Sequence, residues 1–320
     1  MTMRKYETES RVSVVVTPQV FGRQKDIKEI PSSLIEECHL YIVSRRPRLS
    51  IHPSSVKSDQ NGSIHFTIRS QVGDGFDSFD CSISSGKLKG GLTWESEWPY
   101  EEFRLLHEGE EILSGPVGLL PSRMEGEAGE LRKQEVLYVG QAFGKDGEKN
   151  AYDRLKSHST LQAIYAENRP DYEIWLSLCE ITDVALMQET SPEQSEISGA
   201  EDIAHALKVQ QSAYSPQFYR REALSMAEAG LIRFFMPDYN EKFKNNYPDP
   251  KHVHISTAYE LDLADLLVEL HGYAINVSYW SKRQPGRSTL THMARFPLRT
   301  TGGLMALTLP HTTQSAPNHH

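Results

Sequence analysis

The stretch "EVLYVGQAFGKDGEKNAYDRLKSH", residues 135–158, sets an apolar, β-branched run against a glycine-punctuated polar loop and a short segment ending in Arg-x-x-x-His. The run reads as a strand and the glycines as a turn. Asn150 is a reasonable N-cap with Asp153 in the first turn, so a helix should begin just past the loop. Arg154 and His158 then stand four apart on one helix face, pointing back toward the end of the strand that carries Tyr138. Taken alone, the pair also reads as a surface arginine beside a helix-terminal histidine.

Working outward, a chain of 320 residues with 38% hydrophobic and 24% charged residues has the composition of a folded protein with two or three cores. Cys38, Cys81 and Cys179 are scattered without ligand-like spacing, which suggests neither a disulfide framework nor a cysteine zinc site and fits a reducing compartment. The stretch MTMRKYETES lacks the apolar core of a signal peptide, and no run approaches the roughly 20 apolar residues of a membrane span. A cytoplasmic location is expected.

The net charge of -9 argues against wholesale nonspecific attraction to a polyanion. Most of the acidic excess sits in residues 95–130, where ten acidic residues face Arg104 and Arg123. From 270 onward there is no acidic residue, and Lys282, Arg283, Arg287, Arg295 and Arg299 surround His292. A local cationic surface is expected there, with Tyr279 and Trp280 suited to stacking bases. A core hairpin with a solvated basic end explains the same residues.

SRVSVVV, HLYIVS, SIHFTIRS and FDCSIS read as short strands separated by turn signals, so residues 1–112 are expected to form a separate β-rich domain. Residues 113–248 follow with strands at PVGLLPSRM and EVLYVGQ, a helix and a third strand at DYEIWLSLCEIT. EDIAHALKVQQSA is a plausible helix. A stronger one, PQFYRREALSMAEAGLIRFF, opens with Ser215 as N-cap and ends before Pro237. Residues 249–310 should hold a strand at HVHIST, a helix at ELDLADLLVELHG and a strand at YAINVSYW, and 311–320 a disordered tail.

Along the second helix Leu224, Leu231, Ile232 and Phe235 trace an apolar stripe, and Glu228 falls inside it. A carboxylate there should meet an arginine, a metal ion or a set of donors, or else become neutral. A Glu-Arg brace between helices is the structural reading. Asn240 follows within Pro-Asp-Tyr-Asn.

The pieces LYVGQ, DRLKSH and EAGLIRFFMPDYN resemble, in order, the GIY-YIG nuclease family: a Tyr-(Ile/Val)-Gly strand end, an Arg with His or Tyr four residues later, a helical Glu and an Asn closing a Pro-x-Tyr-Asn exit. The resemblance covers about residues 115–246. It implies an α+β fold whose central domain is a small three-stranded antiparallel sheet flanked by helices, and a divalent-metal-dependent endonuclease acting on DNA phosphodiesters. In that reading Tyr138 approaches the attacking water, Arg154 holds the scissile phosphate, Glu228 ligates one Mg²⁺ or Mn²⁺, and His158 and Asn240 organise the site. Gly140, Gln141, Lys145 and Lys156 would contact substrate. An arginine and a divalent ion suit the charge that builds in phosphodiester displacement. Tyrosine, with an ordinary pKa near 10, needs such neighbours to act as a base.

The sequence departs from the family pattern in three places. The best candidate for the first Gly-Ile-Tyr motif is Gly118-Leu119-Leu120, which lacks the tyrosine; Gln141 stands where lysine is common; and the loop before Arg154 is longer than usual. The alternative is therefore a catalytically inactive nucleic-acid-binding or protein-interaction module. A homodimer and a protein partner docking through the N-terminal domain are both compatible with the sequence. His252-x-His254 would pair two imidazoles on a strand edge without an identifiable third ligand.

Overall fold

The computed structural model describes residues 4–27, 30–59, 62–84, 90–124, 129–141, 159–191, 195–215, 218–249, 251–252, 255–285 and 289–299. In chain order its strands are β1 (Arg4–Tyr6), β2 (Thr8–Gly22), β3 (Leu40–Pro47), β4 (Leu49–Ser50), β5 (Lys57–Ser58), β6 (Ser63–Val72), β7 (Gly75–Ser84), β8 (Leu92–Glu95), β9 (Glu102–His107), β10 (Glu110–Pro116), β11 (Lys133–Gln141), β12 (Tyr172–Thr190), β13 (Ser195–Ile197), β14 (Asp265–His271), β15 (Ser278–Trp280) and β16 (Thr291–Pro297). The protein is a mixed α and β structure. No helix among the described residues is long and apolar enough to cross a membrane.

A seven-stranded sheet runs in the order β15-β11-β3-β12-β2-β14-β16. Its spine is the long antiparallel pair β2 and β12, in register from Thr8 opposite Thr190 to Gly22 opposite Leu176. Along β2, Val12, Val14 and Val16 have no solvent exposure, as the two-residue period of a pleated strand requires. They pack with Leu224, Leu231 and Phe235 of the helix Ala223–Phe235 in one core cluster. The opposite face of the sheet builds a second cluster from Tyr41, Val43, Leu137 and Leu178 with Leu161 and Ile164 of the helix Ser159–Glu167.

Residues 48–131 form an excursion between β3 and β11. Two small sheets, one of β4 to β7 and one of β8 to β10, close over a third core that includes Ile51, Ile64, Phe66, Phe103, Leu105 and Leu131. Arg46 on β3 fastens this unit to the main sheet. Its buried guanidinium lies over the Trp175 ring and donates to the carbonyls of Gly118 and Leu131.

This architecture corrects the expected domain boundaries. β2 and β3 from residues 1–112, β11 and β12 from 113–248, and β14 to β16 from 249–310 share one sheet, so neither 112/113 nor 248/249 separates two cores. The β-rich unit is internal rather than N-terminal. An antiparallel three-strand set does exist as β11-β3-β12, but it is the middle of a larger sheet and takes its central strand from HLYIVS. PVGLLPSRM is not a strand: Val117–Leu119 is a 3-10 turn and Leu120–Arg123 a helical turn, with Pro121 at a first-turn position. ELDLADLLVELHG contains β14 instead of a helix, because Leu266, Val268 and Leu270 alternate into the core. The expected strand HVHIST is not seen over its described part: His252 and Ile255 precede a helix, and Ser256 and Thr257 open it as Ser256–Glu260. YAINVSYW yields a 3-10 turn and then β15. Residues 311–320 lie outside the described residues.

Candidate functional site

The C-terminal end of β11 is where the described candidates meet. β11 pairs antiparallel with β3, Gly140 opposite Tyr41 and Gln141 opposite Leu40, and a bulge interrupts the register between Val136 and Tyr138. The extra residue puts Leu137 and Tyr138, consecutive in sequence, into the cluster that contains Tyr41, while Val136 and Val139 enter the cluster on the other face. The Tyr41 and Tyr138 rings stack at 6.0 Å between centroids. Tyr138 is half-buried and Tyr41 buried.

Gly140 is fixed by these two rings. A β-carbon there would lie 2.6 Å from the Tyr41 hydroxyl and 2.7 Å from Cε1 of Tyr138, so the closing glycine of LYVG is a packing requirement. Tyr41 is the aromatic hydroxyl that sequence reasoning missed. It sits in the HLYIVS strand, whose antiparallel partner β11 lies beyond the 48–131 excursion, and no local pattern signals that pairing. Gly118, the first-motif candidate, is instead wedged beneath Trp175 and Arg46, where an added β-carbon would meet Trp175 at 2.2 Å.

Two side chains reach the end of β11 from the helix Ala223–Phe235 and its exit. This segment opens as expected, with the Phe218 amide donating to Ser215 Oγ at 3.2 Å, although a π-helical turn over Phe218–Glu222 precedes the regular helix. It ends at Phe235, with Met236 left-handed before Pro237. Eleven of its thirteen residues are buried, and Glu228 is half-buried among them. Glu228 Oε1 accepts the Gln141 amide at 3.1 Å. Of the alternatives open for that carboxylate, a backbone donor is therefore one partner.

Asn240 acts as a surrogate strand. Beyond the three-residue register with β15, the outer edge of β11 needs other partners. The Tyr239 amide donates to the Leu137 carbonyl at 3.1 Å. The Asn240 carboxamide accepts from the Val139 amide at 2.9 Å and donates to its carbonyl at 2.8 Å, as a neighbouring peptide would. Tyr239 also donates its hydroxyl to Glu167 at 2.8 Å.

Tyr138, Gly140, Gln141, Glu228 and Asn240 are thus gathered at one strand end, with Tyr41 added. They do not share one face: the phenols lie on the side of Leu161 and Ile164, and the Glu228 helix packs on the other. Arg154, His158, Lys145 and Lys156 lie outside the described residues. Among the described residues there is no group of three or more His, Cys, Asp or Glu able to hold a metal.

The weaker expectations fare differently. The C-terminal basic cluster is largely neutralised: Lys282 pairs with Asp238, Arg295 with Asp265, and Arg299 with Glu9 and Asp262. Tyr279 is fully buried, its hydroxyl donating to Ser177 at 2.6 Å, so it stacks no base. Arg287 lies outside the described residues. His252 sits in a turn, its ring against Phe243 and Tyr247, and His254 lies outside the described residues. The large cleft of about 1320 Å³, lined by Arg23, Trp98, Arg104 and Glu173 among others, opens near the Tyr172 end of β12, opposite the end where Gln141 stands. No family model matches the chain, and neither the curated proteins nor the solved structures contain a match to it.

Proposed function

We propose that the chain is a divalent-metal-dependent endonuclease that hydrolyses DNA phosphodiesters at the end of β11, through a GIY-YIG-like centre. The observation that carries this reading is the convergence of Tyr41, Tyr138, Glu228 and Asn240, distant along the chain, on the last residues of one strand. The antiparallel set β11-β3-β12 is compatible with it, although β3 stands where the strand PVGLLPSRM was expected, so the first-motif tyrosine would be Tyr41 in place of the Gly118 segment.

Within this reading Tyr138 approaches the attacking water at the strand end, with the buried Tyr41 ring stacked against it and setting its position. Arg154 neutralises the phosphoryl oxygens, and His158 and Gln141 orient them. Asn240 keeps the strand edge in place, which fixes Tyr138. The donor chemistry at Glu228 fits Mg²⁺ or Mn²⁺: magnesium takes one or two carboxylates and keeps several waters, so a single half-buried carboxylate suffices. Such an ion, held through Glu228, supplies charge stabilisation for the phosphoryl group.

A second reading, a noncatalytic nucleic-acid-binding or protein-interaction module, is favoured by one observation. Glu228 and Asn240 both bond the β11 backbone and would serve as a polar brace without any chemistry. Glu228→Gln separates the two, because glutamine still accepts the Gln141 amide. The nuclease reading expects plasmid or single-stranded DNA to be cut with Mg²⁺ or Mn²⁺ and not with EDTA. Glu228→Gln and Arg154→Ala should each lower cleavage at least a hundredfold while stability changes by less than about 1 kcal/mol. No metal-dependent cleavage by the parent protein, with stability kept in Glu228→Gln and lost in Glu228→Ala, establishes the brace.

A further inference from the structure

The strand β7 stands at the edge of its sheet: among the described residues it pairs only with β6, so its outer side has no partner strand. A two-residue turn at Gly73-Asp74 joins the two strands, with Gly73 left-handed at a φ of 58°, and the pair that closes it is Val72 and Gly75. Such a pair exchanges both of its backbone hydrogen bonds, and bonded pairs alternate along an antiparallel ladder. The register continues without a shift to Ser84. Gly75, Asp77, Phe79, Cys81 and Ile83 therefore bond to β6, while Phe76, Ser78, Asp80 and Ser82 turn their N–H and C=O groups outward.

Long edges are ordinarily blunted by proline, lysine, a bulge or a covering element. GFDSFDCSIS has neither proline nor lysine, and its pairing carries no bulge. On its inner face Phe79, Cys81 and Ile83 reach the core of the small sheets yet stay only partly buried, so that layer is open at its flank. The two acids of the strand decide what can pair with it. In a closed two-fold arrangement the strand meets itself antiparallel, and matching the inner faces requires the axis to pass through a residue. An axis at Asp77 or Asp80 sets two carboxylates directly opposite one another. An axis at Phe79 sets Asp80 opposite Ser78 and Asp77 opposite Cys81, and it matches the whole of Gly75–Ile83; an axis at Ser78 runs into the turn, and one at Cys81 runs past Ser84.

We propose that β7 pairs with β7 of a second copy about a two-fold axis at Phe79, joining the two small sheets into one. The bonded pairs are then Phe76 with Ser82 and Ser78 with Asp80, whose backbone groups already face outward. The two Phe79 rings meet at a non-bonded site, where opposing side chains are closest, and the inner layers of the two copies become continuous. A two-fold pair also closes on itself, which ends further edge growth. The contact runs about 30 Å along a single strand, so it belongs with small, reversible interfaces.

Sedimentation of the full-length protein across the micromolar range tests this. The parent should show a reversible monomer–dimer equilibrium. Ser78→Asp places a carboxylate opposite Asp80 at two symmetric positions and should weaken the dimer about tenfold, whereas Ser78→Lys should tighten it by a similar factor. Ser78 is exposed, so neither change enters the core. Asp77→Cys should form a disulfide with the native Cys81 of another molecule on mild oxidation, located by peptide mapping; within one molecule the extended strand holds these positions too far apart to bond. Cys38 and Cys179 are buried and do not compete. A parent that stays monomeric throughout, Ser78 variants that fail to shift the equilibrium in opposite directions, or a dimer in which Asp77→Cys links to no Cys81 overturns the proposal.

Discussion

A methyl group at position 140 has nowhere to go. Tyr41 and Tyr138 flank the site at 2.6 and 2.7 Å from an added β-carbon, and both rings are anchored in a packed cluster. Gly140→Ala should therefore cost about 1–3 kcal/mol, read by urea denaturation, and displace the two phenols together. Asn240 is a different case, since its loss removes bonds instead of adding bulk. The side chain is 7% exposed and satisfies both the amide and the carbonyl of Val139. Asn240→Ala leaves those two groups unpaired and should cost about 2–4 kcal/mol, with faster amide exchange at Val139. Both residues were legible in the sequence as members of motifs. Their physical duties were not: each depends on a neighbour more than a hundred residues away for Asn240, or about a hundred for Gly140, which no local window contains.

Among the elements, β16 carries a group that makes folding sensitive to acid. His292 stands opposite Leu270 of β14, with its ring at 5.8 Å from Phe234 and 5.3 Å from Phe235. Burial pushes its pKa down to about 4, against which a hydrogen bond to the Tyr279 backbone acts only in part. Above the ordinary value of 6.5 the ring is neutral in both the folded and unfolded chain; between 6.5 and about 4 only the unfolded chain takes up the proton. Stability conferred by the neutral ring is thus present above 6.5 and lost as pH falls through that window, by up to about 3 kcal/mol. Denaturant unfolding at pH 7.5 and 4.5 should show this loss in the parent protein, and His292→Leu should remove that part of it. β16 also shows where sequence patterns fail at this scale. THMARFP contains basic residues and no clean apolar alternation, so it reads as surface, yet Ala294 and Phe296 are buried and Arg295 is balanced by Asp265. ELDLADLLVELHG fits helical spacing as well as strand spacing, and pairing of β14 with β2 and β16 decides for the strand. The helices at 199–213 and 223–235 and the strands of HLYIVS, EVLYVGQ and DYEIWLSLCEIT were legible because residue pattern and length agreed within each segment.

For the molecule as a whole, the sequence disguises an insertion as an N-terminal domain. Strand signals recur from residue 8 to 116, and no local signal tells β2 and β3, which belong to the main sheet, from β4 to β10, which do not. The register does separate them. Arg45 lies opposite Glu135 on β3 and β11, so the two strands run out of pairing close to Pro47 and Lys133, the points where the excursion leaves and returns. The excursion has its own core of Leu49, Ile64, Phe66, Phe103 and Leu120, while the clusters on the two faces of the main sheet draw nothing from residues 49–131. Replacing 49–131 by a short hairpin turn should therefore leave the seven-stranded sheet folded. The chief local cost lies at Arg46, whose guanidinium would lose the Gly118 and Leu131 carbonyls and whose pKa, now held down to about 10 by burial, would rise as water reached it. Trp175 would be uncovered at the same place. Combining the deletion with Trp175→Thr limits that exposed apolar surface. The shortened protein should unfold in one cooperative transition by circular dichroism, and retain protection of the Val139 and Gln141 amides in hydrogen exchange. Under the nuclease reading it should also keep metal-dependent cutting, since none of Tyr41, Tyr138, Arg154, Glu228 and Asn240 lies in the deleted segment; loss of cooperative unfolding would instead show that the excursion and the sheet fold as one unit.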